Sequence, residues 1–174
     1  MISRTKTLVL CLTVLVALCC NACGIYSFSG VNIDPSVRTI SIQNFENSAG
    51  EGPSNLTQVV TNSFKNYYQR NTNLTVLQRD GDLQLEGQIV SFTLTPAAVQ
   101  REGNIDQATL NRLTLGIQIR YVNTTDPEKD FDQQFSITED FPQNVDITSI
   151  PPAAIDRMTE RLVADVFNKT VADW

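Results

Sequence analysis

The clearest hydrophobic pattern in the chain is at Leu113, Leu115, Ile117, Ile119 and Tyr121, which alternate with Arg112, Thr114, Gly116, Gln118 and Arg120. A period of two over this length predicts a strand with one buried face and one polar face. A turn over 123–128 separates it from Phe131, Phe135 and Ile137, whose shared parity predicts an antiparallel partner strand, with a loop following over 139–147. Upstream, Asp82 to Thr95 reads as a long strand that changes phase: Leu83, Leu85 and Ile89 have one parity, and Val90, Phe92 and Leu94 the other. Gly87 lies just before the switch and predicts a β-bulge or a sharp twist there. Val37–Gln43 and Leu74–Gln78 predict two shorter strands. Residues 44–53 read as a loop, and Asp80-Gly81-Asp82 as a turn.

Two segments carry the helical period instead. After Pro53 and Ser54 come Leu56, Val59, Val60, Phe64, Tyr67 and Tyr68; near the end come Ile155, Met158, Leu162, Val166 and Thr170, flanked by Val163 and Phe167. Ser149 is the expected cap of the second helix. Pro151 and Pro152 are acceptable in its first turn, where backbone N–H groups have no intrahelical partner. The order strand, helix, several strands, helix predicts an α+β two-layer sandwich, with two helices packed on one face of a mostly antiparallel sheet.

The N-terminus has a different character. Arg4 and Lys6 precede residues 8–20, an apolar run polar only at Thr13. It is shorter than the about 20 residues a membrane-spanning helix needs, and it matches an export signal. All four cysteines lie at or before position 23. The local sequence CNAC, with Ala22 before Cys23, resembles a bacterial lipobox, in which the cysteine is lipidated and becomes the first mature residue. Cys19 and Cys20 are competing acceptors. The expected organisation is a signal peptide over 1–22, a lipidated linker over 23–36 and a single α+β domain over 37–174.

Charge and composition narrow the chemistry. Two of the 13 basic residues and none of the 19 acidic ones precede Cys23, so the mature charge is 11 minus 19, or −8. With no basic run, such a surface repels nucleic acid. The chain has no histidine, and past Cys23 no thiol. Ser-His and Cys-His nucleophiles and His or Cys zinc sites are thereby excluded. The carboxylate pairs Asp80/Asp82, Asp130/Asp132 and Glu139/Asp140 fall in turns or on an exposed strand and read as solvated groups. No metal or cofactor is expected.

Five segments, CGIYSFSG at 23–30, VRTISIQNFEN at 37–47, GDLQLEGQI at 81–89, NRLTLGIQIRYVN at 111–123 and VFNKTVADW at 166–174, are together similar to the LptE family of lipopolysaccharide-assembly lipoproteins. The resemblance implies a non-enzymatic protein on the periplasmic side of the outer membrane, lipid-anchored, that plugs the LptD β-barrel and assists its assembly and lipopolysaccharide delivery. The polar positions Gln84, Glu86, Gln88, Thr114, Gln118 and Arg120 are the candidates for a partner-facing sheet surface, since a barrel lumen is polar and wet. A solvated sheet face is the alternative reading. Arg101 and Arg112 are the candidates for contact with lipopolysaccharide phosphates. Arg120, roughly 27 Å along the strand from Arg112, cannot share one phosphate with it. Two further functions stay open: a lipoprotein that binds a small or lipidic ligand or pilots another outer-membrane complex, and a hydrolase using two convergent carboxylates.

Overall fold

The computed structural model describes residues 33–97 and 110–171. Its elements in chain order are β1 (Thr39–Ile42), β2 (Glu46–Asn47), α1 (Leu56–Asn71), β3 (Thr75–Leu77), β4 (Leu83–Ala97), β5 (Leu110–Asn123), β6 (Phe131–Pro142) and α2 (Pro152–Val171). The sheet order is β3-β1-β4-β5-β6, with β2 pairing β4 beyond the end of β1. The α+β class stands, but the sheet is mixed. The long ladders β4–β5 and β5–β6 are antiparallel, whereas β1 pairs in parallel with both β3 and β4.

That parallel arrangement imposes a crossing. β3 and β4 flank β1 on opposite sides and run the same way, so residues 78–82 must pass across β1. At Gly81 a Cβ would lie 2.4 Å from the backbone nitrogen of Ser41. A residue without a side chain is therefore required where the two backbones meet.

The helices cover one face, and the strict alternation on β5 is the reason. Leu113, Leu115, Ile117, Ile119 and Tyr121 are all buried in one core with Phe64 and Tyr68 of α1 and Met158, Leu162 and Val166 of α2. At the helix ends, the Tyr68 hydroxyl donates to Thr170 Oγ1 at 2.6 Å, and Thr170 Oγ1 in turn donates to the Phe167 carbonyl. Burial raises the Tyr68 and Tyr121 hydroxyls above the ordinary phenol range.

Several sequence expectations shift in detail. The bulge lies at the phase switch, with Val90 as its extra residue: the register slips between Ile89 and Ser91, while Gly87 itself opposes Ile119 in regular pairing. The extra residue returns Phe92 and Leu94 to the face of Leu83, Leu85 and Ile89, so the phase change in sequence becomes one continuous apolar face. Gly87 has another task. The Phe45 ring occupies the space a Cβ would fill there, with Cε1 only 2.1 Å from that position. β6 extends through 139–142, which the sequence suggested as loop, because Glu139 and Asp140 have partners: Glu139 accepts from Arg157 Nη2 at 2.7 Å, and Asp140 takes both ends of Arg112. Residues 46–47, within an expected loop, form β2. Ser149 does not cap α2; it lies in a 3-10 turn over Ile147–Ser149, whose own start is capped by Asp146.

Asp82 ties β1 to the start of β4. Its Oδ2 accepts hydrogen bonds from the Arg38 and Thr39 backbone N–H groups, each at 2.9 Å, and from Thr39 Oγ1 at 2.8 Å. These bonds, the one from Arg38 first, hold the carboxyl below its usual range. A depressed folded-state value means that the contribution is fully present above the unfolded value of about 3.9 and is lost as pH falls through the folded one. In urea titrations below pH 4, the wild type is expected to lose stability more steeply than Asp82→Asn. Equal slopes would show that Asp82 carries none of the acid sensitivity.

Candidate functional site

The face of the sheet opposite the helices is built by the same parity. On β5 it carries Arg112, Thr114, Gly116, Gln118 and Arg120; register places Gln88, Glu86 and Gln84 of β4 opposite Gln118, Arg120 and Val122. All six residues expected on a partner-facing surface, Gln84, Glu86, Gln88, Thr114, Gln118 and Arg120, therefore share one face. Past the bulge, Ser91, Thr93 and Thr95 continue it on β4. Asp132, Gln134, Ser136, Thr138 and Asp140 complete it on β6, a contribution that sequence reasoning passed over although their even numbering marks it.

Charge on this face is confined to its ends. At one end Gln43 Nε2 donates to Glu86 Oε1 at 2.6 Å, Arg120 lies 3.9 Å from the other Glu86 oxygen, and Gln118 donates to Asp132. These residues, with Glu46, line a shallow cleft of about 300 Å³. At the other end Arg112 grips Asp140 through two parallel bonds, Nε to Oδ1 at 2.7 Å and Nη2 to Oδ2 at 2.8 Å. The guanidinium holds the Asp140 carboxyl below the usual carboxylate range, and Arg112 is raised in return. Between the two ends lies an uncharged strip across three strands: Thr93, Thr114 and Thr138 in one row and Ser91, Gly116 and Ser136 in the next. Such a surface can pack against another polar surface with exchangeable hydrogen bonds, but it lacks the concentrated charge that would hold a phosphate or a metal.

Of the two arginines expected at lipopolysaccharide, Arg112 is committed to Asp140, and Arg101 lies outside the described residues. The three carboxylate pairs do not act as pairs. Asp82 clamps β1, Asp130 accepts from the Asn123 backbone N–H at 2.7 Å, and Asp132, Glu139 and Asp140 each hold a different partner. Among the described residues no group of three His, Cys, Asp or Glu could hold a metal ion, and no helix is long and apolar enough to cross a membrane.

The family model for LptE, lipopolysaccharide-assembly, matches residues 37–170, which run from just before β1 almost to the end of α2. The chain belongs to the LptE family. It is thus a lipopolysaccharide-assembly protein, and the polar sheet face belongs to a protein of that class. No curated protein sequence matches the chain. Among solved structures, the hypothetical protein CT253 from Chlamydia trachomatis is 7% identical with a TM-score of 0.49, over 76% of this chain and 98% of that one. A minor lipoprotein from Acinetobacter baumannii is 9% identical with a TM-score of 0.44, over 76% and 92%. The PelC dodecamer subunit from Paraburkholderia phytofirmans is 5% identical with a TM-score of 0.43, over 77% and 91%.

Proposed function

We propose that this LptE-family protein is a non-enzymatic plug. It is anchored through a lipid on Cys23 at the periplasmic side of the outer membrane and fills the lumen of the LptD barrel with the open face of β4, β5 and β6. In that position it assists barrel assembly and the delivery of lipopolysaccharide to the cell surface, with Arg101 the remaining candidate contact to its phosphates, since Arg112 is held by Asp140. The observation that carries the reading is the convergence of Gln84, Glu86, Gln88, Thr114, Gln118 and Arg120 on one polar, mostly uncharged face in a chain of this family. A barrel interior is itself polar and hydrated, so a plug must offer a surface that exchanges water for protein hydrogen bonds without burying unpaired charge.

The test is purification of the tagged, membrane-anchored protein in mild detergent, followed by mass spectrometry of the whole preparation. The expected result is a large outer-membrane barrel in near one-to-one amount, together with an acylated Cys23 as the mature N-terminus. Recovery of the protein alone, or with an unrelated complex, would overturn the plug reading. An unmodified Cys23 with acyl groups on Cys19 or Cys20 would move the anchor.

A further inference from the structure

β6 ends the sheet, and its outer side is unpaired among the described residues. The phase of the ladders fixes which backbone groups point outward. Thr124 N–H donates to the Asp82 carbonyl, so the even-numbered residues at this end of β5 bond to β4 and the odd-numbered ones turn toward β6. By register, Phe131, Gln133, Phe135, Ile137 and Glu139 of β6 bond back to β5. Asp132, Gln134, Ser136, Thr138 and Asp140 therefore present their N–H and C=O groups to the outside.

Natural sheets guard such an edge with charges, prolines or bulges. Here the guards are displaced. The β5–β6 register runs without a slip, and the first proline in the strand is its last residue, Pro142. The acids of the strand are drawn inward: Asp132 to Gln118, Asp140 to Arg112 and Glu139 to Arg157. Between them, residues 133–138 (QQFSIT) carry no charge, and Phe135 and Ile137 remain half-buried on the helix side.

We propose that this edge is completed by an extended segment of the barrel partner, which adds a strand beside β6. The inference rests on the plug reading and adds to it the mode of attachment. A strand, rather than a loop or a helix, is called for because it pairs the outward N–H and C=O groups in a regular row, and alternate side chains of the incoming segment can cover Phe135 and Ile137. The barrel protein is the occupant because the even-numbered side chains of β6 belong to the open face, so a partner on that face reaches this edge without a break. A second copy is disfavoured by charge. Antiparallel pairing centred on Ser136 sets Asp132 against Asp140, and pairing centred on Phe135 sets Asp130 against Asp140.

The experiment uses the full lipoprotein, free and in its complex with the barrel. Hydrogen exchange across β6 is expected to slow at Gln134, Ser136 and Thr138 in the complex, while the odd-numbered amides, already bonded to β5, change little. Ser136→Pro removes one outward N–H and no β5 bond; it is expected to weaken the complex on the order of tenfold while the free protein melts as the wild type does. Ser136→Ala, which keeps the N–H and loses only the hydroxyl, is the reference for that loss: Ser136→Pro is expected to bind on the order of tenfold more weakly than Ser136→Ala does. If the complex forms but these amides exchange freely and Ser136→Pro binds normally, the edge proposal fails and the plug reading survives. If the wild type forms no complex, the plug reading fails and takes the barrel strand with it. Should Ser136→Pro not fold, the exchange of the wild-type amides decides alone.

Discussion

Gly87→Ala is expected to cost about 2–3 kcal/mol of stability in urea denaturation, a large loss for a single added methyl. The new Cβ would lie 2.1 Å from Phe45 Cε1 and 2.3 Å from Cζ, well inside van der Waals contact. Phe45 has nowhere to go. Its ring is buried and stands 4.7 Å from the Phe64 ring of α1, and its backbone N–H is held by Thr61 Oγ1 at 3.0 Å. Moving it would open the contact between α1 and the sheet. The cause can be isolated by a double mutant, since Phe45→Leu makes room at the same place. Combined with Gly87→Ala, it is expected to leave the protein more stable than the sum of the two single losses by at least about 1 kcal/mol. Strict additivity would show that the methyl is felt somewhere other than at Phe45.

Thr114→Arg is expected to remove the barrel complex and spare the fold. Thr114 stands between Thr93 and Thr138 in the middle of the uncharged strip. A guanidinium there has no carboxylate of its own, because Asp140 is already taken by Arg112. Burying an unpaired charge in the interface is worth about 3 kcal/mol or more, which is roughly a hundredfold in affinity. The free protein should stay within about 0.5 kcal/mol of the wild type, as exposed-face substitutions usually do. Glu160→Arg, on the exposed side of α2, adds an arginine elsewhere and should leave recovery of the barrel unchanged. Equal recovery with Thr114→Arg would show that the partner does not cover this strip.

How much of this was legible in the sequence depended on whether a residue's setting was local. β5 was legible because five apolar residues alternate without interruption with four polar ones and a glycine, and the same parity brought the six face candidates together. The helices were legible from their apolar stripes. The parallel pairing of β1 was not, because strands of three and four residues carry no mark of direction and their partners lie some forty residues away in sequence. The bulge was legible from the phase change itself, but the reason for Gly87, the Phe45 ring, comes from a distant part of the chain. Glu139 and Asp140 looked like loop residues because charge is costly on a strand only when it is unpaired, and Arg157 and Arg112 are not visible as partners until the chain folds.

The length of β4 has a consequence for reach. The chain enters the fold at Ile33 to Val37, where a cleft also lined by Leu83 and Asn123 marks the near end of the long hairpin; the far end is at Ala97 and Leu110. Fifteen residues of strand span about 45 Å at the usual rise, whereas the hydrocarbon layer of a bilayer is about 30 Å thick. The described part of the hairpin is thus longer than that layer is thick, which gives the plug proposed above the length to reach across it.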